Sequence, residues 1–242
     1  PYRRSDAMPY FERSSGKAYV RVESGAVPDG YGSFKKVGVP YGTKARLILL
    51  LLSSLAIKSQ SRTIEIDESF RQFCKSCGVT LSACSMRLAI ENNTTASVFQ
   101  GHIFSEFHIQ IPTDERQQFL WSTEVKFSQD FFESLQNNAV PLERDAILAL
   151  KHSSRAMDIY MWLASTLFRR KKRTLIRWTS LRFQFGDRLQ DMNGFKRAFK
   201  AALSQALYVY PKAKVEIIDG GIALYPSLPP IPTAGMRLLN DG

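Results

Sequence analysis

Asn193, Lys196, Arg197 and Lys200 stand at i, i+3, i+4 and i+7, the spacing that puts side chains on one face of a helix. Three of the four are cations, and no acid occurs between Gly194 and Tyr210. A solvated helix ordinarily mixes signs and gains i,i+4 ion pairs. An all-basic stripe forgoes those pairs, and the chemistry it offers is contact with a polyanion. Arg197 carries the planar fork that pairs with guanine, and Asn193 the donor and acceptor that read adenine. Lys196 and Lys200 suit phosphate oxygens. A basic face that is merely solvated is the alternative reading of the same residues.

The stripe ends a longer cationic stretch. Arg169, Arg170, Lys171, Lys172 and Arg173 are consecutive, and Arg177, Arg182 and Arg188 follow. From 169 to 200, eleven basic residues face only Asp187 and Asp191, an excess of nine in a chain whose formal charge is +11. Solubility does not require such clustering, whereas a nucleic acid partner does. The run from Arg169 to Arg173 also complements the negative end of a preceding helix. Five cations exceed what that end needs, so phosphate contact is expected as well. Lys212 and Lys214 approach a hairpin and are expected to grip the backbone without choosing a sequence. The candidate DNA contacts are therefore Arg169, Arg170, Lys171, Lys172, Arg173, Arg177, Asn193, Lys196, Arg197, Lys200, Lys212 and Lys214.

The elements that must position these residues are legible in the pattern. Ser153 to Arg169 reads as a helix with Met157, Ile159, Tyr160, Leu163, Ala164 and Leu167 on its buried face. Thr174 to Arg177 reads as a strand, and Thr179 or Ser180 opens a helix that Gly186 stops. Asn193 to Tyr208 is the next helix, with Phe195, Phe199, Ala202, Leu203 and Ala206 facing the core. Val215–Ile218, the Asp219-Gly220-Gly221 turn and Ile222–Tyr225 form a hairpin.

The first half suggests the same order. A helix runs from Thr43, its N-cap, to Lys58, and a strand from Arg62 to Ile66. Asp67 or Glu68 opens a helix to Cys77 with Phe70 and Phe73 inward, ended by Gly78. A third helix is expected over Leu81–Asn92, then strands over Ala96–Phe99 and Ile103–Ile111. Helix, strand, helix, helix, strand, strand is a winged-helix order. The expected fold is α+β, with two tandem winged-helix domains. An N-terminal arm with one strand covers 1–38, and the first domain 39–116. A turn-like boundary at Pro112–Gln118 separates it from the second domain, which covers 117–228 and contains a strand at Leu120–Phe127 and short helices at Asp130–Gln136 and Arg144–Lys151. A proline-rich tail covers 229–242. The first domain lacks the basic stripe. Dimerisation or partner contact is its expected role, with a weaker backbone grip through Lys35, Lys36, Lys44 and Arg46.

Several function classes find no support. The sequence has no phosphate-binding loop, no Gly-x-Ser-x-Gly elbow and no His-hydrophobic-His pair, so no enzyme activity is expected. Cys74 and Cys77 have metal-ligand spacing, but no second pair follows. Structural thiols are favoured over a metal or redox site, and neither metal nor cofactor is expected. Three cysteines suit a reducing cytosol, and no secretory signal is visible. The apolar run at Leu47–Leu52 is far short of a membrane span. With 44% hydrophobic and 23% charged residues, the chain has enough for a core in each half.

Four stretches in order resemble the plasmid-encoded RepA-type replication initiator family. They are Val39-Pro-Tyr-Gly-Thr-Lys-Ala-Arg-Leu47, then Leu148 to Phe168 with Asp158-Ile-Tyr-Met-Trp-Leu163. Ile176-Arg-Trp178 with Gln184-Phe-Gly186 follows, then Phe195-Lys-Arg-Ala-Phe199 through Tyr210-Pro-Lys-Ala-Lys214 to Leu224-Tyr-Pro-Ser227. The stretch Val79–Ile90 departs from the family pattern, lacking its glycine-containing turn. The resemblance implies binding to repeated double-stranded sites at a plasmid origin, local opening of AT-rich DNA and recruitment of host replication proteins, the helicase among them. It implies a dimer–monomer switch and a cytoplasmic, nucleoid- or plasmid-associated protein with no membrane partner. A winged-helix transcriptional regulator and a module meeting an acidic protein are the rival readings.

Overall fold

Asp67 accepts a hydrogen bond from the Phe70 amide at 2.8 Å and opens helix α2, which spans Glu68–Ala83. Ser128, Ser153 and Asp191 cap α3 (Gln129–Asn138), α5 (Ser154–Thr166) and α7 (Met192–Val209) in the same way. Each side-chain oxygen satisfies an amide that the first helical turn leaves unpaired. The computed structural model describes residues 1–2, 9–91, 96–110, 120–186 and 191–231. They fold as a mixed α+β protein that divides into two units, Pro1–Ala139 and Val140–Gly242.

In the first unit, β1 (Tyr10–Ser15), β2 (Ala18–Glu23), β6 (Ser85–Glu91) and β7 (Ala96–His102) form an antiparallel sheet in that order. β3 (Gly25–Pro28) and β4 (Phe34–Gly38) form a separate hairpin. α1 (Gly42–Ser59) and α2 pack with a three-stranded sheet of β5 (Thr63–Glu65), β9 (Leu120–Phe127) and β8 (Phe104–Gln110), with β9 central. Ile48, Leu52, Ala56, Ile64, Cys74, Val125 and Phe127 are among the buried residues of this core.

Several expectations for this unit are corrected. The segment 1–38 is no arm with one strand: its described residues contribute four, and β2 finds β6 some sixty residues away. The third helix expected at Leu81–Asn92 is absent. α2 runs through Gly78 to Ala83, and Ser85–Glu91 is a strand paired with β2 on one side and β7 on the other. The alternation of Met86, Leu88 and Ile90 is a two-residue period, and pairing on both edges decides in its favour. Phe73 is 44% exposed, stacked on Phe70 beneath Lys44, and not turned to the core. α1 begins at Gly42 with no side-chain cap, so Thr43 lies inside it. The division at Ala139 also falls later than the expected 116, because β9 pairs with β5 and β8 of the first unit. The expected boundary at Pro112–Gln118 lies outside the described residues, as does the tail from 232 onward.

The second unit follows its pattern closely. α4 (Arg144–Ala149), α5, β10 (Thr174–Arg177), α6 (Trp178–Phe185), α7, β11 (Val215–Ile218) and β12 (Gly221–Leu224) succeed one another, α5 ending in a 3-10 turn at Leu167–Arg169. The sheet order is β10-β12-β11, so in both units the last strand lies between the other two. α5 packs on α7, burying Met157, Tyr160 and Leu163 with Phe195, Phe199 and Leu203. Trp162, Phe185, Phe199 and Trp178 form a chain of ring contacts with centroids 5.2–5.9 Å apart. Each fully buried phenylalanine contributes about 1.5–3 kcal/mol.

Candidate nucleic-acid interface

Helix α7 holds the basic stripe because its other face is taken by the core. Phe195, Phe199, Ala202, Leu203 and Ala206 are buried, as their spacing predicts. Asn193, Arg197 and Lys200 are consequently exposed, and Lys196 is half-buried. Asp191 caps the helix start, its carboxylate accepting from the Gly194 amide at 2.6 Å. Among the described residues, no carboxylate pairs with Lys196, Arg197 or Lys200.

The two lysines have a different neighbour. Lys196 Nζ and Lys200 Nζ each lie 5.8 Å from the centroid of the Trp178 ring, within cation–π range. Trp178 is only 6% exposed. Its indole Nε1 donates to the Asp219 carbonyl at 2.9 Å, and its backbone amide donates to the Gly220 carbonyl at 3.1 Å. One side chain thereby ties together the start of α6, the β11–β12 turn and the basic face of α7. Arg177, the exposed residue before α6, stands at the same end of the sheet.

The remaining cations gather at the opposite end. Arg169 is exposed, with its guanidinium 5.1 Å from the Phe168 ring centroid. Arg170 is half-buried, and burial lowers its pKa. Lys171, Lys172 and Arg173 are exposed just before β10. Arg173 Nε donates to the Tyr225 hydroxyl at 3.2 Å, which in turn donates to Glu216 Oε2 at 2.7 Å. Lys214 is held beside them, its amide donating to Ser227 Oγ and its carbonyl accepting from the Tyr225 amide. Lys212 is exposed on the same approach. Thr174 pairs with Leu224 and Arg177 with Gly221, so the two groups flank a strand about 10 Å long. Arg188 lies outside the described residues. Trp178 and Tyr225 were not among the candidate contacts: their partners are remote in sequence, and no local spacing marks them.

The cysteines belong to the first unit's core. Cys74 and Cys84 are buried, and burial pushes both thiols up to about 12. Among the described residues, no group of three or more His, Cys, Asp or Glu side chains converges on a metal-sized site. No described helix is long and apolar enough to cross a membrane.

The fold and this surface define a mixed α+β chain with a cation-faced helix beside a hairpin. Residues 79–179 match the model of the family described as plasmid encoded RepA protein, which supports the RepA-type replication initiator family for this chain. The matched span crosses from the first unit into the second and stops before α7. Among solved structures, domains 2 and 3 of RctB are similar in fold, with a TM-score of 0.56 and 11% identity over 91% of this chain and 92% of that one. A second structure of RctB domains 2–3 gives a TM-score of 0.48 at 10% identity, over 89% of each chain. No curated protein matches the chain.

Proposed function

We propose that the chain initiates plasmid replication by binding repeated double-stranded sites at an origin, through a winged-helix second unit. The observation that carries this reading is the exposed Arg197 and Lys200 on α7, without a carboxylate partner among the described residues. The order of α5, β10, α6, α7, β11 and β12 supports the winged helix, as does the β10-β12-β11 sheet. In this reading α7 enters the major groove, with Asn193 and Arg197 at base edges. The cations at both ends of the sheet grip phosphates. The first unit is a second, altered winged helix: its sheet keeps the β5-β9-β8 order, and a strand replaces its third helix. Its role is dimerisation or contact with host replication proteins.

The protein does no chemistry of its own and needs no metal or cofactor. Binding energy supplies the work. Bending each occupied site costs roughly 1–6 kcal/mol, offset by added contacts, and helps open the adjacent duplex for the helicase. It acts in the cytoplasm, on the plasmid.

Footprinting and salt titration on origin DNA test the reading. With about 6–8 phosphates neutralised, log K falls with log salt at a slope of roughly −5 to −7. Arg197→Ala relaxes base choice at one position at a cost of about 1–3 kcal/mol. A flat salt dependence, or a footprint without repeats, removes the proposal.

A further inference from the structure

A second cationic surface lies in the first unit, on the β3–β4 hairpin. Tyr31 is 85% exposed and Phe34 71%, and Lys35 and Lys36 are exposed beside them. The register pairs Pro28 with Phe34 and Ala26 with Lys36, so these four share one face, and all four are exposed. Val27, between Ala26 and Pro28, points the other way into the core. The hairpin is thus anchored on one side and bare on the other. The single acid between Gly25 and Gly38 is Asp29. Its carboxylate accepts from the Tyr31 and Ser33 amides at 2.8 and 3.0 Å, which lowers its pKa and commits its charge to the loop backbone. The outward face therefore offers the Phe34 ring and the Lys36 ammonium, with Tyr31 exposed in the loop and Lys35, opposite Val27 in the register, exposed at the strand's other side.

We infer that this hairpin holds an unpaired nucleic-acid strand, with Tyr31 and Phe34 stacking on bases, Lys36 meeting phosphates on the same face and the exposed Lys35 reaching the backbone from the strand's other side. Rings alternating with cations are what such a strand engages, because every base has a face to stack on and every linkage a charge. A paired base shows its faces only to its neighbours in the duplex, so exposed rings favour the unpaired form. A lipid surface would ask for a wider apolar face than two rings among Gly30, Gly32 and Ser33. The inference rests on the initiator reading in one respect: DNA is the polymer at hand.

The test uses the full chain with fluorescein-labelled oligo(dT), origin duplex and anionic vesicles as probes. Tyr31→Ala with Phe34→Ala weakens oligo(dT) binding about tenfold or more and leaves origin duplex binding unchanged. Lys35→Ala with Lys36→Ala lowers the salt slope on oligo(dT) by about 1.4. Arg197→Ala does the reverse, weakening duplex and sparing oligo(dT). All these side chains are exposed, so circular dichroism reports the fold intact. Oligo(dT) affinity that is absent in the wild type, or equal in the aromatic variant, overturns the inference. Hairpin-dependent binding to vesicles alone does so too. Hairpin-dependent oligo(dT) binding without any origin duplex binding keeps this inference and sinks the initiator reading.

Discussion

Replacing Trp178 by Phe keeps a ring between α6 and α7 but removes the donor that holds the β11–β12 turn. The lost bond, Nε1 to the Asp219 carbonyl at 2.9 Å, is worth about 0.5–1.5 kcal/mol net. The Asp219 residue is exposed, so water can take over the carbonyl, and the full penalty of a buried orphan does not apply. Two cation–π contacts, from Lys196 and Lys200 at 5.8 Å each, weaken on the smaller ring. At partly exposed sites each is worth about 0.5–1 kcal/mol, and a phenyl ring keeps part of it. The sum is about 1–2 kcal/mol, placed on the local opening of β10–β12 and not on the first unit.

Hydrogen exchange followed by mass spectrometry reads that quantity where it acts. Amides of Thr174–Arg177 and Gly221–Leu224, which pair in the β10–β12 ladder, exchange about 5–30-fold faster in Trp178→Phe. Peptides from Gly42–Ser59, in the other unit, serve as the control and do not change. Origin duplex binding weakens, yet its salt slope stays as in the wild type, because all the cations remain. Unchanged ladder protection would show that the indole does not hold the turn. Loss spread equally over Gly42–Ser59 would show a general destabilisation and refute the tether.

Two further outcomes follow from local geometry. Gly221→Ala puts a Cβ 1.9 Å from the Ile176 carbonyl oxygen, so β10 and β12 must separate at that pair. Urea unfolding of the second unit shifts to lower concentration by the equivalent of about 2 kcal/mol or more, and an unshifted transition contradicts the close approach. Cys74 and Cys84 ionise near 9 when unfolded and near 12 when folded, so the folded state keeps their protons through that window. Their contribution is complete below pH 9 and is lost as pH rises towards 12. Urea midpoints should fall across this range, and should fall less in a Cys74→Ala, Cys84→Ala chain.

The second unit was legible because its periods agree with its packing in every element, although α6 opens at Trp178 without a side-chain cap and not at Thr179 or Ser180. α7 needed only the spacing of Phe195, Phe199 and Ala202, and its hairpin only the Asp219-Gly220 turn between two β-like runs. The first unit misled at Leu81–Asn92, where the short mixed stretch around Met86, Leu88, Ala89 and Ile90 fits a helical or a strand period. The choice there is made by β2, which arrives from residues 18–23 and supplies a ladder no local window contains. Gly78, read as a stop, is buried within α2. A glycine ends a helix only where the chain must turn out, and here it continues under the sheet.

Charge was the more readable half of the site, because clustering is a property of the chain itself. What a cation leans on is a property of the fold. Lys196 and Lys200 count as two free charges in the sequence, and in the structure they share one buried indole that also grips the turn. Arg173 sits in a run of five cations, yet it is bound through Tyr225 to Glu216 on the hairpin. Its Nε is committed there, so a phosphate meets Arg173 through its Nη groups, in an orientation Tyr225 fixes. Lys171 and Lys172, exposed beside it, have no such side-chain partner among the described residues. The five consecutive cations are therefore not five equal contacts, and their division follows from one tyrosine fifty-two residues away.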